Sequence, residues 1–304
     1  MISEYPKFSQ LELSDKNEIQ MLTQGFFQYS DFSFSNLWSW DISLSKRSYA
    51  KLNGNLIIKL HDYKTNEPFF SICGSNLQNE TISRLLETGQ ETKSIVNLKL
   101  IPEEFIQKLT LPQVSIIEDR DNFDYIYSVE ELKAFEGGKF KQKRNEVNAL
   151  LTAYPEIEAR ELDIKNLAIK KEISCLFHQW TKRKIAKEGE FEFNENNAFS
   201  NLLILSENYD LILVGLYLRD RLVAFIISEA RNSEYAVGHF AKTDTSIRGI
   251  NAYLLQSLAK VLAEKDIKYF NYEQDLGLKN LRDAKMRFRP AFFLKKYSLI
   301  APSF

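Results

Sequence analysis

Cysteine and histidine are scarce in this 304-residue chain, with two of the first and three of the second. Cys73 and Cys175 stand far apart, without the close spacing of a zinc site. They fit a reducing compartment. His61, His178 and His239 are scattered, so no metal site is expected. Neither a Ser-His-Asp order nor a glycine-rich nucleotide loop is present. Charge of one sign is also missing: 40 basic and 41 acidic residues leave a net charge of −1. No global field therefore recruits nucleic acid or anionic lipid, and recognition of an anion has to be local. The longest apolar runs, such as Leu211 to Leu218, fall far short of the roughly 20 residues that cross a bilayer. The start, Met1-Ile2-Ser3-Glu4-Tyr5-Pro6, has no basic region followed by an apolar core. The chain reads as soluble and cytoplasmic.

Hydrophobic residues at 44% and aromatics at 13% can fill real cores. The length exceeds that of one usual domain, so two are expected, residues 1–128 and 129–304. In the first, a helix over Asp15 to Ser30 precedes strands at 56–60, 69–73 and 114–117, with helices over 79–87 and 102–109 between them. In the second, helices over 139–153 and 164–186 lead to an antiparallel hairpin of 211–218 and 222–229. A strand at 234–242, a helix over 249–265, a strand at 268–272, a helix over 278–287 and a closing hairpin around 292–300 follow. Strands alternating with helices make the class mixed α/β.

The segment Gly137-Gly138-Lys139-Phe140-Lys141-Gln142-Lys143-Arg144-Asn145-Glu146-Val147-Asn148 places four cations in the opening turns of a helix. That end already carries a partial positive charge, so each cation forfeits on the order of 0.3–1 kcal/mol that an acidic residue would supply. Exposed N–H groups, a two-glycine lead-in and clustered cations suit a phosphate or carboxylate; a solvated basic face is the plain alternative. At about 100° per residue, Phe140, Val147, Leu150, Leu151 and Tyr154 share one arc. Arg144 lies in or beside that arc and needs an acidic partner or an anionic ligand. Lys141, Asn145 and Asn148 form a polar strip on the adjoining flank, as on a cleft wall.

Glu273 and Asp275 follow an apolar strand and precede a helix, where a functional group is commonly displayed. Asp275 can equally cap that helix. Lys285 falls in the apolar stripe of Leu278, Leu281 and Phe288 and wants a carboxylate, with Glu273 or Asp275 nearest. The two readings of that group are a structural ion pair and substrate positioning or acid/base work. His239 shares a strand face with Tyr235 and Val237, while Phe240 and Lys242 face the other way; it is either an interior histidine or a catalyst.

The C-terminal element order resembles the GCN5-related N-acetyltransferase (GNAT) fold. There, the loop before the crossover helix binds a pyrophosphate through Arg or Gln, two residues, Gly, one residue, and Gly or Ala. Here Ser246-Ile247-Arg248-Gly249-Ile250-Asn251 occupies that place and departs from the pattern at its first and last positions. Further features resemble the bacterial family related to the C-terminal domain of phosphatidylglycerol lysyltransferase, built as two such folds in tandem. They are Tyr127-Ser128, Lys139-Phe140 with Lys143-Arg144-Asn145, His239-Phe240-Ala241-Lys242-Thr243-Asp244, Asn271-Tyr272-Glu273-Gln274-Asp275-Leu276-Gly277, and Leu281-Arg282-Asp283-Ala284-Lys285.

That resemblance implies transfer of an acyl or aminoacyl group from a charged tRNA or acyl-coenzyme A to an amine or hydroxyl, with a small molecule or lipid headgroup as acceptor. No covalently bound cofactor is implied. Such chemistry needs a base, worth roughly 10²–10⁴-fold, and oxyanion donors worth on the order of 3 kcal/mol each. Glu273, Glu229 and His239 are the candidates for catalysis. Lys141, Arg144, Asn145, Asn148, Lys242, Arg248, Gly249, Asn251, Asp275 and Lys285 are the candidates for binding donor or substrate. A noncatalytic protein that binds tRNA or another polyanion and retains the fold is the alternative.

Overall fold

A computed structural model describes residues 1–42, 46–62, 65–91, 96–188 and 193–300. The chain is mixed α/β, and its described residues form two seven-stranded mixed sheets flanked by helices. The first sheet runs Ser3–Glu4, Ser48–Leu52, Asn55–His61, Pro68–Cys73, Leu98–Pro102, Lys296–Ile300, Ser115–Glu118. The second runs Phe292–Leu294, Asp124–Ser128, Tyr269–Asn271, Tyr235–Thr243, Arg221–Ala230, Ile212–Leu218, Ile157–Leu162. Each contains antiparallel strands, a helix, and a strand returning parallel to the last of them: Gln78–Glu91 then Leu98–Pro102 in one, Ile250–Glu264 then Tyr269–Asn271 in the other.

The division expected at 128/129 is displaced. One compact unit comprises Met1–Asp124, Gln274–Leu278 and the chain from Leu294; the other comprises Tyr125–Glu273 and Lys279–Phe293. The closing hairpin around 292–300 does not form either. Phe292–Leu294 joins the second sheet, and Lys296–Ile300 is inserted between Leu98–Pro102 and Ser115–Glu118 in the first.

A buried cation accounts for that placement. Lys296 Nζ lies 2.8 Å from Asp124 Oδ1 and also meets Asp31, while Ser30 gives Asp124 its N–H at 2.9 Å and its hydroxyl at 2.8 Å. Burial alone would lower the Lys296 pKa, but the two carboxylates outweigh it and raise it. The expected helix from Asp15 to Ser30 is shorter, Lys16–Thr23, with 3₁₀ turns on both sides. The Asp15 side chain draws the chain start to itself, accepting from the Met1 amine and the Glu12 N–H.

In the second unit the strand Arg221–Ala230 lies inside the sheet, between Tyr235–Thr243 and Ile212–Leu218, and is buried along nearly its whole length. One face of its sheet carries Ile250–Glu264, whose Leu254, Leu255, Leu258 and Leu262 pack on Val214, Leu216, Ala224 and Ile226. The opposite face carries Phe177 and Phe199, stacked at 4.2 Å, against Phe225 and Phe240. Gly249 begins the helix at φ +84°, and a Cβ there would come within 2.4 Å of the Glu146 carbonyl oxygen. The close approach of Lys141–Ala153 to the start of Ile250–Glu264 therefore requires glycine.

Removing the buried ammonium strands two carboxylates. Lys296→Met is expected to cost about 3–5 kcal/mol of unfolding free energy, read as a lower urea midpoint with an unchanged slope.

Candidate active site

The strands Tyr235–Thr243 and Tyr269–Asn271 run parallel and pair only through Tyr235↔Tyr269, Ala236↔Phe270 and Val237↔Asn271. The first continues to Thr243 while the second ends at Asn271, so beyond Val237 that edge has no neighbouring strand among the described residues. Parallel strands that part leave backbone donors and acceptors uncovered by a ladder, a natural place for a guest.

His239 sits where they part, on a β-bulge. Pairing with Arg221–Ala230 passes from Ile227↔Phe240 to Ser228↔Gly238 and skips His239. A bulge adds a residue to one strand and re-aims the side chains beyond it. Val237, Phe240 and Lys242 therefore all lie on the face of Phe225, Ile227 and Glu229, which corrects the expectation that Phe240 and Lys242 face away from Val237.

The bulge brings the three catalytic candidates together. The His239 imidazole is 1% exposed, with Nε2 3.4 Å from Glu229 Oε2 and Nδ1 3.4 Å from Glu273 Oε1. Glu229 is equally buried, and its Oε1 accepts from Arg231 at 2.8 Å. Guanidinium, carboxylate, imidazole and carboxylate thus alternate in a row. Burial by itself would lower the His239 pKa, but the flanking Glu229 and Glu273 carboxylates push it up to about 9. At neutral pH the ring is an imidazolium held between two acidic side chains, the pairing a buried cation requires. His239 is thereby a poor general base near pH 7, and Glu229 is as enclosed as the imidazole it pairs with.

Glu273 is the solvent-facing end of the row, with 20% of its side chain exposed. Its backbone is left-handed at φ +56°, a region a non-glycine residue adopts at a cost. The N–H of Glu273 donates to Asn271 Oδ1 at 2.7 Å, and its carbonyl accepts from Tyr125 N–H at 3.2 Å. Asn271 is wholly buried, so the turn is fixed from inside. Lys285 is buried as well, its ammonium donated to the Tyr272 carbonyl 4.9 Å from the Tyr272 ring centroid and 5.7 Å from that of Tyr125. Asp275 belongs to the first unit; it accepts from Gly277 N–H at 2.8 Å and lies 3.3 Å from Arg120.

The basic helix start divides in two. Arg144 donates to the carbonyls of Phe135 and Gly137, the latter at 2.7 Å, and so closes the C-terminus of the helix Val129–Ala134. These carbonyls at the negative end of a short helix satisfy the guanidinium, which corrects the expectation that it needs an acidic partner or an anionic ligand. Lys141, Asn145 and Arg248, in contrast, line a cavity of about 920 Å³ together with Lys139, Lys143, Arg287 and Arg289. Asn148 is exposed and outside it. Asn251 is exposed and accepts from the Thr243 hydroxyl at 3.1 Å. Lys242 pairs with Glu195 at 2.6 Å and lies 3.7 Å from the centre of the Trp180 ring.

Arg231, Asn271, Arg287 and Arg289 were not among the sequence candidates. Arg231 carried a usable signal, an opposite charge two residues from Glu229 on one strand face; the others depend on turns that the sequence does not reveal. The sign of the His239 shift gives a test. Because its pKa is raised in the fold, its stabilising contribution is complete below the unfolded value of 6.5 and is lost as pH rises through about 9. The stability difference between wild type and His239→Gln, measured by urea unfolding across that window, should be largest at the acid end and shrink toward the alkaline end.

Residues 26–300 match the family described as phosphatidylglycerol lysyltransferase, C-terminal. A conserved protein of unknown function from Bacteroides thetaiotaomicron has a similar structure over 99% of this chain and 100% of that one, at 26% identity and a TM-score of 0.83. The C-terminal domain of a putative lysylphosphatidylglycerol synthetase from Agrobacterium fabrum matches over 95% and 93% at 11% identity, TM-score 0.63. The structure of L-PGS from Bacillus licheniformis matches over 99% and 94% at 12% identity, TM-score 0.64. No curated protein matches in sequence. Among the described residues no helix is long and apolar enough to cross a membrane. With about nine-tenths of its length matched, the chain belongs to the phosphatidylglycerol lysyltransferase C-terminal family.

Proposed function

We propose that this chain is an acyltransferase that moves an acyl or aminoacyl group directly from a phosphate-containing donor to an amine or hydroxyl. The observation that carries the reading is the Glu273 carboxylate, held in a fixed turn where two parallel strands part and backed by the His239 imidazolium. As the acceptor nitrogen or oxygen attacks the acyl carbon, Glu273 takes its proton. The bond from the acyl carbon to the donor oxygen or sulfur then breaks, and the proton held by Glu273 passes through solvent to the leaving atom, which restores the carboxylate. We assign stabilisation of the transient oxyanion to backbone N–H groups on the strand edge that Tyr269–Asn271 leaves unpaired beyond Val237. Holding both substrates in line supplies much of the remaining rate, without a covalent enzyme intermediate.

Lys141, Asn145 and Arg248 wall a cavity suited to donor phosphates. The donor is a charged tRNA or acyl-coenzyme A, and the acceptor a small molecule or a lipid headgroup, as the family's name suggests. We place the reaction in the cytoplasm, where both donors are made. A second reading, a noncatalytic protein binding tRNA or another polyanion, draws on the same cavity.

Transfer from labelled aminoacyl-tRNA and acyl-coenzyme A to amines, hydroxyl compounds and phosphatidylglycerol separates the two. Glu273→Gln is expected to reduce transfer by about 10²–10⁴-fold with donor binding retained. Salt-sensitive RNA binding by a wild-type protein that transfers nothing would leave only the second reading.

A further inference from the structure

We propose that the cavity beside the helix Lys141–Ala153 binds a ligand carrying several phosphate charges, and that Arg287 and Arg289 are phosphate-binding residues there. This deepens the donor reading and rests on it only for the part the ligand plays in the reaction.

Six cations line the cavity: Lys139, Lys141, Lys143, Arg248, Arg287 and Arg289. Two are neutralised in place, Lys139 by Glu131 at 2.6 Å and Lys143 by Glu146 at 2.8 Å. Among the described residues, no carboxylate lies within ion-pair distance of Lys141, Arg248, Arg287 or Arg289. Asp283 also lines the cavity but is paired with Lys279 at 3.0 Å, so four like charges from three separate segments in one lining repel each other, a cost that an anionic guest removes.

The geometry of the two arginines is built rather than incidental. Phe288 between them is buried, and its ring lies 4.3 Å from the Lys143 ammonium. Phe288 N–H donates to the Lys285 carbonyl and Arg289 N–H to that of Met286, both at 3.0 Å, and Arg289 adopts φ +56°. This anchored turn brings two guanidinium groups, whose planar forks suit phosphate oxygens, into the same lining as Lys141 and Arg248. The lining contains no aromatic ring, so the guest is gripped through its charge instead of by stacking of a base.

Binding of inorganic tripolyphosphate, coenzyme A and uncharged tRNA to the full chain tests this, with titrations repeated over a range of salt. Arg287→Gln/Arg289→Gln should weaken at least one probe by about tenfold or more and reduce the salt slope by one to two units. Arg287→Lys/Arg289→Lys should recover part of the loss, and Lys182→Gln, an exposed cation outside this cavity, should bind as wild type. Retention of the tRNA effect alone would identify a polynucleotide backbone; loss for tripolyphosphate or coenzyme A would identify a nucleotide-type ligand. The idea is overturned if none of the probes binds at about millimolar concentration, or if a properly folded double glutamine variant binds them unchanged. Tight, arginine-dependent binding without any transfer would remove the acyltransferase reading and keep this one. Transfer with an unaltered KM in the double variant would do the reverse.

Discussion

The parting of two parallel strands after Val237 and Asn271 is the constraint from which the second unit's chemistry follows. While the strands stay paired, their edges are consumed by the ladder; beyond Val237 the edge of residues 238–243 has no neighbouring strand among the described residues, and the turn at Glu273 follows the end of its former partner. The bulge at His239 and the left-handed Glu273 each carry a local cost, and both sit at this fork. Buried Asn271 and the row of charges behind Glu273 supply what holds that conformation in place.

Buried charge is used in two different ways along the chain. In the first unit, Lys296 is enclosed with Asp124 and Asp31, and Ser30 supplies further hydrogen bonds; the result fixes where the last described strand inserts. In the second unit, Arg231, Glu229 and His239 are enclosed while Glu273 remains partly open to water. A closed cluster specifies a fold. A row with one wet end also presents a carboxylate whose direction and charge environment are set from within.

Much of the fold was legible. The hairpin through Arg219-Asp220, the crossover helix and the parallel return strand announce themselves by apolar periodicity and by their order, and the structure places them at 212–218, 221–230, 250–264 and 269–271. Glu229, His239 and Glu273 could be singled out as chemically interesting, but not as neighbours, because a skipped residue in a strand register leaves no composition signal. Arg144 misled for a related reason. A cation among anionic-site signals looks like a ligand contact, yet two carbonyls at the end of a short helix satisfied it instead.

The sequence by itself determined the alternation of strands and helices, the near-zero net charge that makes anion recognition local, and the cluster of cations from Lys139 to Arg144. These are properties of periodicity and composition, fixed by neighbours along the chain. Tertiary structure alone decided which sheet receives Lys296–Ile300, which cations face the cavity, and that His239 lies between two carboxylates. Each of those outcomes depends on desolvating charges from distant segments in one place, where the balance between burial and pairing exists only after the chain has folded.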